Sequence, residues 1–166
     1  MTIRDKAVNT ACKICQNHAA YIWGAQGQKL KGVNALTEAD IYKMETSPDN
    51  AKTVINFINM LAAHGWLTGK SKAFDCSGLI CYILTKIGRE PEGFDMTADS
   101  LAKRYPSRLA PVRGCLVHRP GHVGMYIGDN YLIEAKGRKY GVVVSPFNVK
   151  EWDEIYPDPF AESAAV

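Results

Sequence analysis

Apolar residues change their spacing near Pro106, and that switch limits the folds open to this chain. Up to Tyr105 they recur three and four residues apart, the period of a buried helix face. From Gly114 onward they fall into short alternating runs broken by glycine: Gly114–Val117, His122–Ile127, Tyr131–Ala135 and Gly141–Val144. That is the pattern of strands joined by tight turns. Helices first and an antiparallel sheet afterwards predict an α+β domain. The strongest helical stretch runs from Phe74 to Gly88, where Leu79, Ile80, Ile83, Leu84 and Ile87 share one face. Cys81 and Tyr82 extend apolar character round the other side, so this helix is expected to be central and largely buried. Gly88 is a natural stop, and Asp75 or its neighbour is the candidate N-cap.

Cys76 then falls in the first turn, where free N–H groups and the helix dipole favour an anion. A thiolate gains there, and the thiolate is the nucleophilic form of cysteine. The competing reading is a small residue chosen for packing beside Ser77 and Gly78. A thiol nucleophile needs a base, and His122 is the candidate. It opens G-H-V-G-M-Y-I-G, where Val123, Met125 and Ile127 face one way and His122, Gly124 and Tyr126 the other. Gly124 leaves room for another element, such as the cysteine helix, to come close.

A catalytic histidine is usually oriented by a third group, and Glu134 lies across the Gly128-Asp129-Asn130 turn. A two-residue loop pairing Gly128 with Tyr131 would place His122 and Glu134 on opposite faces. A three-residue loop with a bulge would place them on the same face, in diagonal contact. An orienting Glu134 therefore predicts an odd loop; otherwise Glu134 is a solvated strand residue.

Elsewhere, residues 4 to 20 read as an amphipathic helix, 26 to 32 as a loop, and 33 to 66 as a helical pair packed on the body. Thr37 and Ser47-Pro48 are its helix starts. Residues 97 to 105 make a further short helix, and the tail with Trp152, Pro157 and Pro159 is expected to wrap the surface. One domain is expected over 1–166, with a helical insertion at about 26–73 and a C-terminal tail at about 150–166.

Two groupings invite a metal. Cys12, Cys15 and His18 drift around a helix axis and lack a second ligand pair. Cys115, His118 and His122 straddle a proline-glycine turn and lack a fourth ligand. No metal and no cofactor are expected, and His118 is read as a loop histidine at the mouth of the site. The net charge of +3 is mild and unclustered, which argues against nucleic acid and modestly favours a polyanionic surface. No run is long enough for membrane insertion, and the N-terminus lacks the layout of a signal peptide. The 5 cysteines without framework spacing read as reduced thiols, made in a reducing compartment.

D-C-S-G-L at 75–79, G-H-V-G-M-Y-I-G at 121–128 and Y-L-I-E-A at 131–135 resemble the NlpC-type peptidoglycan cysteine peptidases, which are papain-like domains. Y-I-W-G-A at 21–25 is similar to that family's Y-x-W-G-G box, and G-C-L-V at 114–117 to its G-D-L-V strand. The resemblance implies Cys76 as nucleophile, His122 as base and then acid, and Glu134 at the third catalytic position, commonly histidine or another polar residue. It implies Tyr21, with Asp75 and Ser77 at the helix start, as substrate-binding or oxyanion residues. Cys115 stands where the family has aspartate. The implied substrate is the peptidoglycan stem peptide, cut at a γ-D-glutamyl bond to a diamino acid; separately, a monomer is expected. Alternatives are an N-acetylmuramoyl-L-alanine amidase, a thiol acyltransferase and a non-catalytic wall-binding module. With no signal peptide, a chain made in the cytoplasm would reach the wall by phage release or other export, or as a piece of a longer secreted protein.

Overall fold

The computed structural model describes residues 1–161. α1 (Ile3–Gln16) starts with a reciprocal capping box: the Thr2 hydroxyl accepts the Asp5 N–H, and the Asp5 carboxylate accepts the Thr2 N–H. It ends at Gln16 rather than at residue 20, because His18 takes a left-handed φ of 58° and turns the chain into β1 (Ala20–Tyr21). β1 pairs in parallel with β3 (Lys72–Phe74), and β2 (Gln26–Lys29) pairs antiparallel on the other side of β3. The region read as a loop thus begins with an edge strand. Gln26-Gly27-Gln28-Lys29 has no apolar alternation, so the partner strand alone creates it.

Between β2 and β3 lies the expected helical pair, α2 (Glu38–Met44) and α3 (Pro48–Ala63). Thr37 and Ser47 cap the two helices, with Pro48 in the first turn of α3. Ile41, Ala51 and Val54 bury against Ala20, Ile22, Ala25 and Ala73, so the insertion and the small sheet share one core.

α4 (Cys76–Lys86) is the central helix, with Leu79, Ile80, Cys81, Ile83 and Leu84 fully buried. Each large aliphatic side chain contributes roughly 1.5–3 kcal/mol on burial. Gly88, at φ 80°, ends the helix by sending its N–H to the Thr85 carbonyl while Arg89 N–H reaches Leu84, the Schellman pattern. α5 (Ala98–Arg104) and the two-residue β4 (Ser107–Arg108) follow.

The four-stranded antiparallel sheet runs in chain order: β5 (Leu116–Arg119), β6 (His122–Gly128), β7 (Tyr131–Gly137) and β8 (Gly141–Pro146). Leu116, Val123, Met125, Ile133 and Ala135 pack on one face against α1 and α4. The other face carries Cys115, Val117, Tyr126 and Leu132, and the tail covers it. Trp152 and Tyr156 are buried there, and β9 (Tyr156–Pro157) pairs with β4. A surface wrapping was expected. Apolar residues on both faces of β6 and β7 require a second cover, which the tail supplies together with Val112 and Phe147. Asp158, wholly buried, is held by the guanidinium groups of Arg4 and Arg108, both at 2.5 Å, so the tail also clasps α1. Residues 162–166 of the expected tail lie outside the described residues.

Candidate active site

The local sequence at the start of α4 is chosen for position. One Asp75 carboxylate oxygen accepts the Gly78 N–H at 2.6 Å as N-cap, and the other accepts the Gly24 N–H at 2.9 Å. The Asp75 backbone N–H reaches the Ala25 carbonyl at 3.0 Å. A Cβ on Gly78 would stand 2.0 Å from that carbonyl oxygen, so glycine is the residue that lets the Y-I-W-G-A turn lie against the helix. Asp75 is thus a clamp between the turn and the helix. The free N–H groups of the first turn at Cys76 and Ser77 remain aimed outward from the helix end.

Cys76, partly exposed, meets the β5–β6 turn, where its thiol donates to the Gly121 carbonyl at 3.7 Å. His122 follows at once. Its Nε2 lies 2.9 Å from Glu134 Oε1, which leaves Nδ1 free for the neighbouring Cys76. Burial works against the imidazolium, but the hydrogen bonds and charges of Cys76 and Glu134 outweigh it and raise the His122 pKa to about 9. Burial likewise opposes ionisation of Glu134. Hydrogen bonds from His122 and Ser145, with the His122 charge, reverse that and hold its pKa below the ordinary value.

The register that joins His122 to Glu134 differs from the expected one. The loop is the two-residue Asp129-Asn130, both left-handed at φ 53° and 65°, and it pairs Gly128 with Tyr131. That even loop alone would separate the two side chains. A bulge at Ile127 shifts the pairing by one, so Tyr126 faces Leu132 and Met125 faces Ile133. Glu134 thereby falls beside Gly124, one pleat from His122, on the same face. Gly124 also serves a different neighbour from the one expected. A Cβ there would meet the Ile133 carbonyl at 3.0 Å and Glu134 Cβ at 3.3 Å, so the room is used by β7 rather than by the cysteine helix.

Tyr21 borders the thiol from β1. Burial first, then the nearby charges of Cys76 and Asp75, push its pKa up to about 12, so its hydroxyl keeps its proton. The Arg138 guanidinium lies 5.4 Å from the centre of its ring and pairs with Glu45 at 2.8 Å. Glu45 also accepts the Trp23 N–H at 3.0 Å, and so the insertion is wired into the site through one buried carboxylate.

The structure spends the two metal-like groupings on other partners. Cys15 donates to the Val142 carbonyl, and His18 stacks on Trp66 with ring centres 5.0 Å apart. Cys115 is buried behind the sheet, its sulfur accepting the Val112 N–H, which gives the thiol a role where an aspartate would stand. His118 is no loop residue at the mouth of the site. It is buried on β5, with Nδ1 2.6 Å from Asp153 and Nε2 2.8 Å from Asp99. Trp152 was also missed: its indole stacks on the His122 ring at 5.6 Å and 26°. Nothing in the local sequence of the tail signals that contact, which depends on the chain's return across the sheet.

A cysteine at the start of a buried helix, facing a strand histidine held by a carboxylate, is the arrangement of the papain-like fold. Within that class the chain belongs to the NlpC/P60 family, whose profile matches residues 63–158. Three solved structures share the fold. The P60 domain of antigen MAP1204 from M. avium subspecies paratuberculosis aligns with 96% of this chain and 99% of its own, at 19% identity and a TM-score of 0.53. The peptidoglycan hydrolase RipB from Mycobacterium tuberculosis aligns with 94% of this chain and 66% of its own, at 18% identity and 0.53. The NlpC/p60 domain of the peptidoglycan hydrolase SagA covers 93% of this chain and 97% of its own, at 16% identity and 0.52. The matched profile begins at residue 63, beyond the Y-I-W-G-A turn, yet the fold likeness extends across that turn.

Proposed function

We propose that this chain is a cell-wall hydrolase, a cysteine peptidase that cuts an amide of the peptidoglycan stem peptide. Family membership supports the class, as do fold relatives that are peptidoglycan hydrolases by name. The observation that carries the chemistry is Cys76 at the start of α4, touching Gly121 beside His122, with His122 Nε2 held by Glu134. Cys76 gives its proton to His122 Nδ1, and the thiolate attacks the amide carbonyl. Negative charge develops on the carbonyl oxygen, within reach of the first-turn N–H groups and the protonated Tyr21 hydroxyl. The His122 imidazolium, held by Glu134, protonates the departing amine. Neutral His122 then takes a proton from water as the water oxygen attacks the thioester carbonyl. The C–S bond breaks to release the carboxylic acid, and the imidazolium returns the proton to the Cys76 sulfur. By analogy with the family, the bond is that from γ-D-glutamate to a diamino acid.

Digestion of purified peptidoglycan by wild type and Cys76→Ala, with products weighed by mass spectrometry, tests the reading. Soluble stem-peptide fragments from wild type alone are expected, and their masses name the bond. Equal release by Cys76→Ala would overturn the mechanism. Products carrying intact stem peptides freed from sugar would make the enzyme an amidase.

A further inference from the structure

Two adjoining clefts lie between α1 and the C-terminal end of α4, sharing Thr10, Lys13 and Lys86. Lys6 lines the first, Lys70 and Lys72 the second, and no Asp or Glu lines either. Among the described residues none of these five lysines forms an ion pair. They exceed the whole net charge of +3, so the remainder of the chain is net acidic, and charge that reads as unclustered along the sequence is gathered at these clefts by the fold. Lys13 and Lys86 lie in the last turns of their helices, where the dipole favours a cation. Lys6, Lys70 and Lys72 have no such reason. Lys6 and Lys13 sit two turns apart on one side of α1, about 10 Å, so the charges form a stripe.

We propose that this stripe binds a linear phosphodiester polyanion carried by the cell wall, holding the enzyme against its substrate. The choice of polymer rests on the proposed function; the charge pattern does not. Like charges left close together and unneutralised attract a flexible polyanion, with affinity drawn from released counterions. Single-stranded nucleic acid fits less well, because it needs an open aromatic ring for base stacking. The one aromatic residue here, Tyr82, is packed edge-on to Phe74 at 5.2 Å and lies so close under Gly27 that a Cβ there would be 2.6 Å from its ring. Cys76 stands at the opposite end of α4 from Lys86, so the stripe tethers and does not touch the reacting atoms.

The test is binding of fluorescent poly(glycerol phosphate) to Cys76→Ala protein, which reads attachment without turnover. Binding should weaken steeply with salt, and Lys13→Gln/Lys86→Gln in the same background should bind about tenfold more weakly or worse. Otherwise wild-type enzyme carrying these two changes should cleave a soluble stem peptide at the unaltered rate. Salt-independent binding, equal binding by the lysine variant, or tighter binding of length-matched single-stranded DNA would each overturn the proposal. Failure of hydrolysis by wild type would instead strike the proposed function and leave the binding result standing.

We infer independently that His118 is a positioning residue for His122. Its two ring nitrogens tie Asp99 of α5 to Asp153 of the tail. Asp99 also accepts the Gly121 N–H at 2.9 Å, fixing the turn whose carbonyl meets Cys76. Asp153 adjoins Trp152, the residue stacked on the His122 ring. One imidazole thus braces both neighbours of the catalytic ring. His118→Phe should lower kcat about tenfold with KM unchanged and displace the alkaline limb of the pH profile, with partial recovery in His118→Gln. If His118→Phe fails to fold, Asp153→Ala breaks one of the two ties and should show the same signature. A folded variant with unchanged kcat and pH profile would overturn the inference.

Discussion

Glu134→Gln is the sharpest perturbation of the site, because it removes a charge while keeping the shape. In wild type Glu134 is 5% exposed and bonded to His122 Nε2 at 2.9 Å. A hydrogen bond between charged groups contributes about 1.5–3 kcal/mol. Each 1.36 kcal/mol corresponds to about one pH unit, so losing the carboxylate should bring the His122 pKa down by roughly one to two units from about 9. The same energy removed from the transition state lowers kcat by roughly 10- to 100-fold. A glutamine amide that donates to Nε2 would lower it further, by forcing the ring proton onto Nδ1, the nitrogen that must accept from Cys76. The sign follows from the chemistry. Acid catalysis needs the imidazolium, so activity falls as pH rises through the His122 pKa, and a lower pKa moves that fall to lower pH. The assay is kcat on a soluble stem peptide from neutral to alkaline pH. A Gln variant with wild-type kcat and an alkaline limb still near 9 would refute the assignment of Glu134 as the orienting group.

Other outcomes follow from the same contacts. Gly78→Ala should collapse activity and lower the unfolding midpoint, since its Cβ would lie 2.0 Å from the Ala25 carbonyl; a crystal structure with an unmoved Cys76 would contradict this. Arg138→Met leaves Glu45 buried without its cation, a loss of about 3–5 kcal/mol on denaturant unfolding; Glu45→Gln/Arg138→Met should recover part of it. Glu45, Glu134 and Asp158 all have carboxyl pKa values lowered by partners that outweigh burial. Their contribution to stability is full above the ordinary carboxylate range and is lost as pH falls through the lowered values, so acid titration of unfolding should show a steep loss there. His122 has the opposite sign: its contribution is complete below 6.5 and disappears as pH rises through about 9.

The chain's own pattern determined the central helix, its caps, the order of helices before sheet, and the pair Cys76 and His122. Those features rest on interactions between residues near in sequence: a 3.6-residue apolar stripe, an aspartate three residues before a glycine, and alternation within each strand. Other features depended on contacts between distant segments. β2 is polar and exists because β3 pairs with it. The bulge at Ile127 carries no local signature that separates it from a regular strand, yet it decides whether Glu134 meets His122. Trp152 reaches the histidine from 30 residues further along the chain, because an apolar second face of the sheet had to be covered. His118, Asp99 and Asp153 meet only when β5, α5 and the tail are packed together. Local spacing specifies which side chains share a face, but burial of the whole sheet specifies what lies opposite that face, and both were needed to assemble this site.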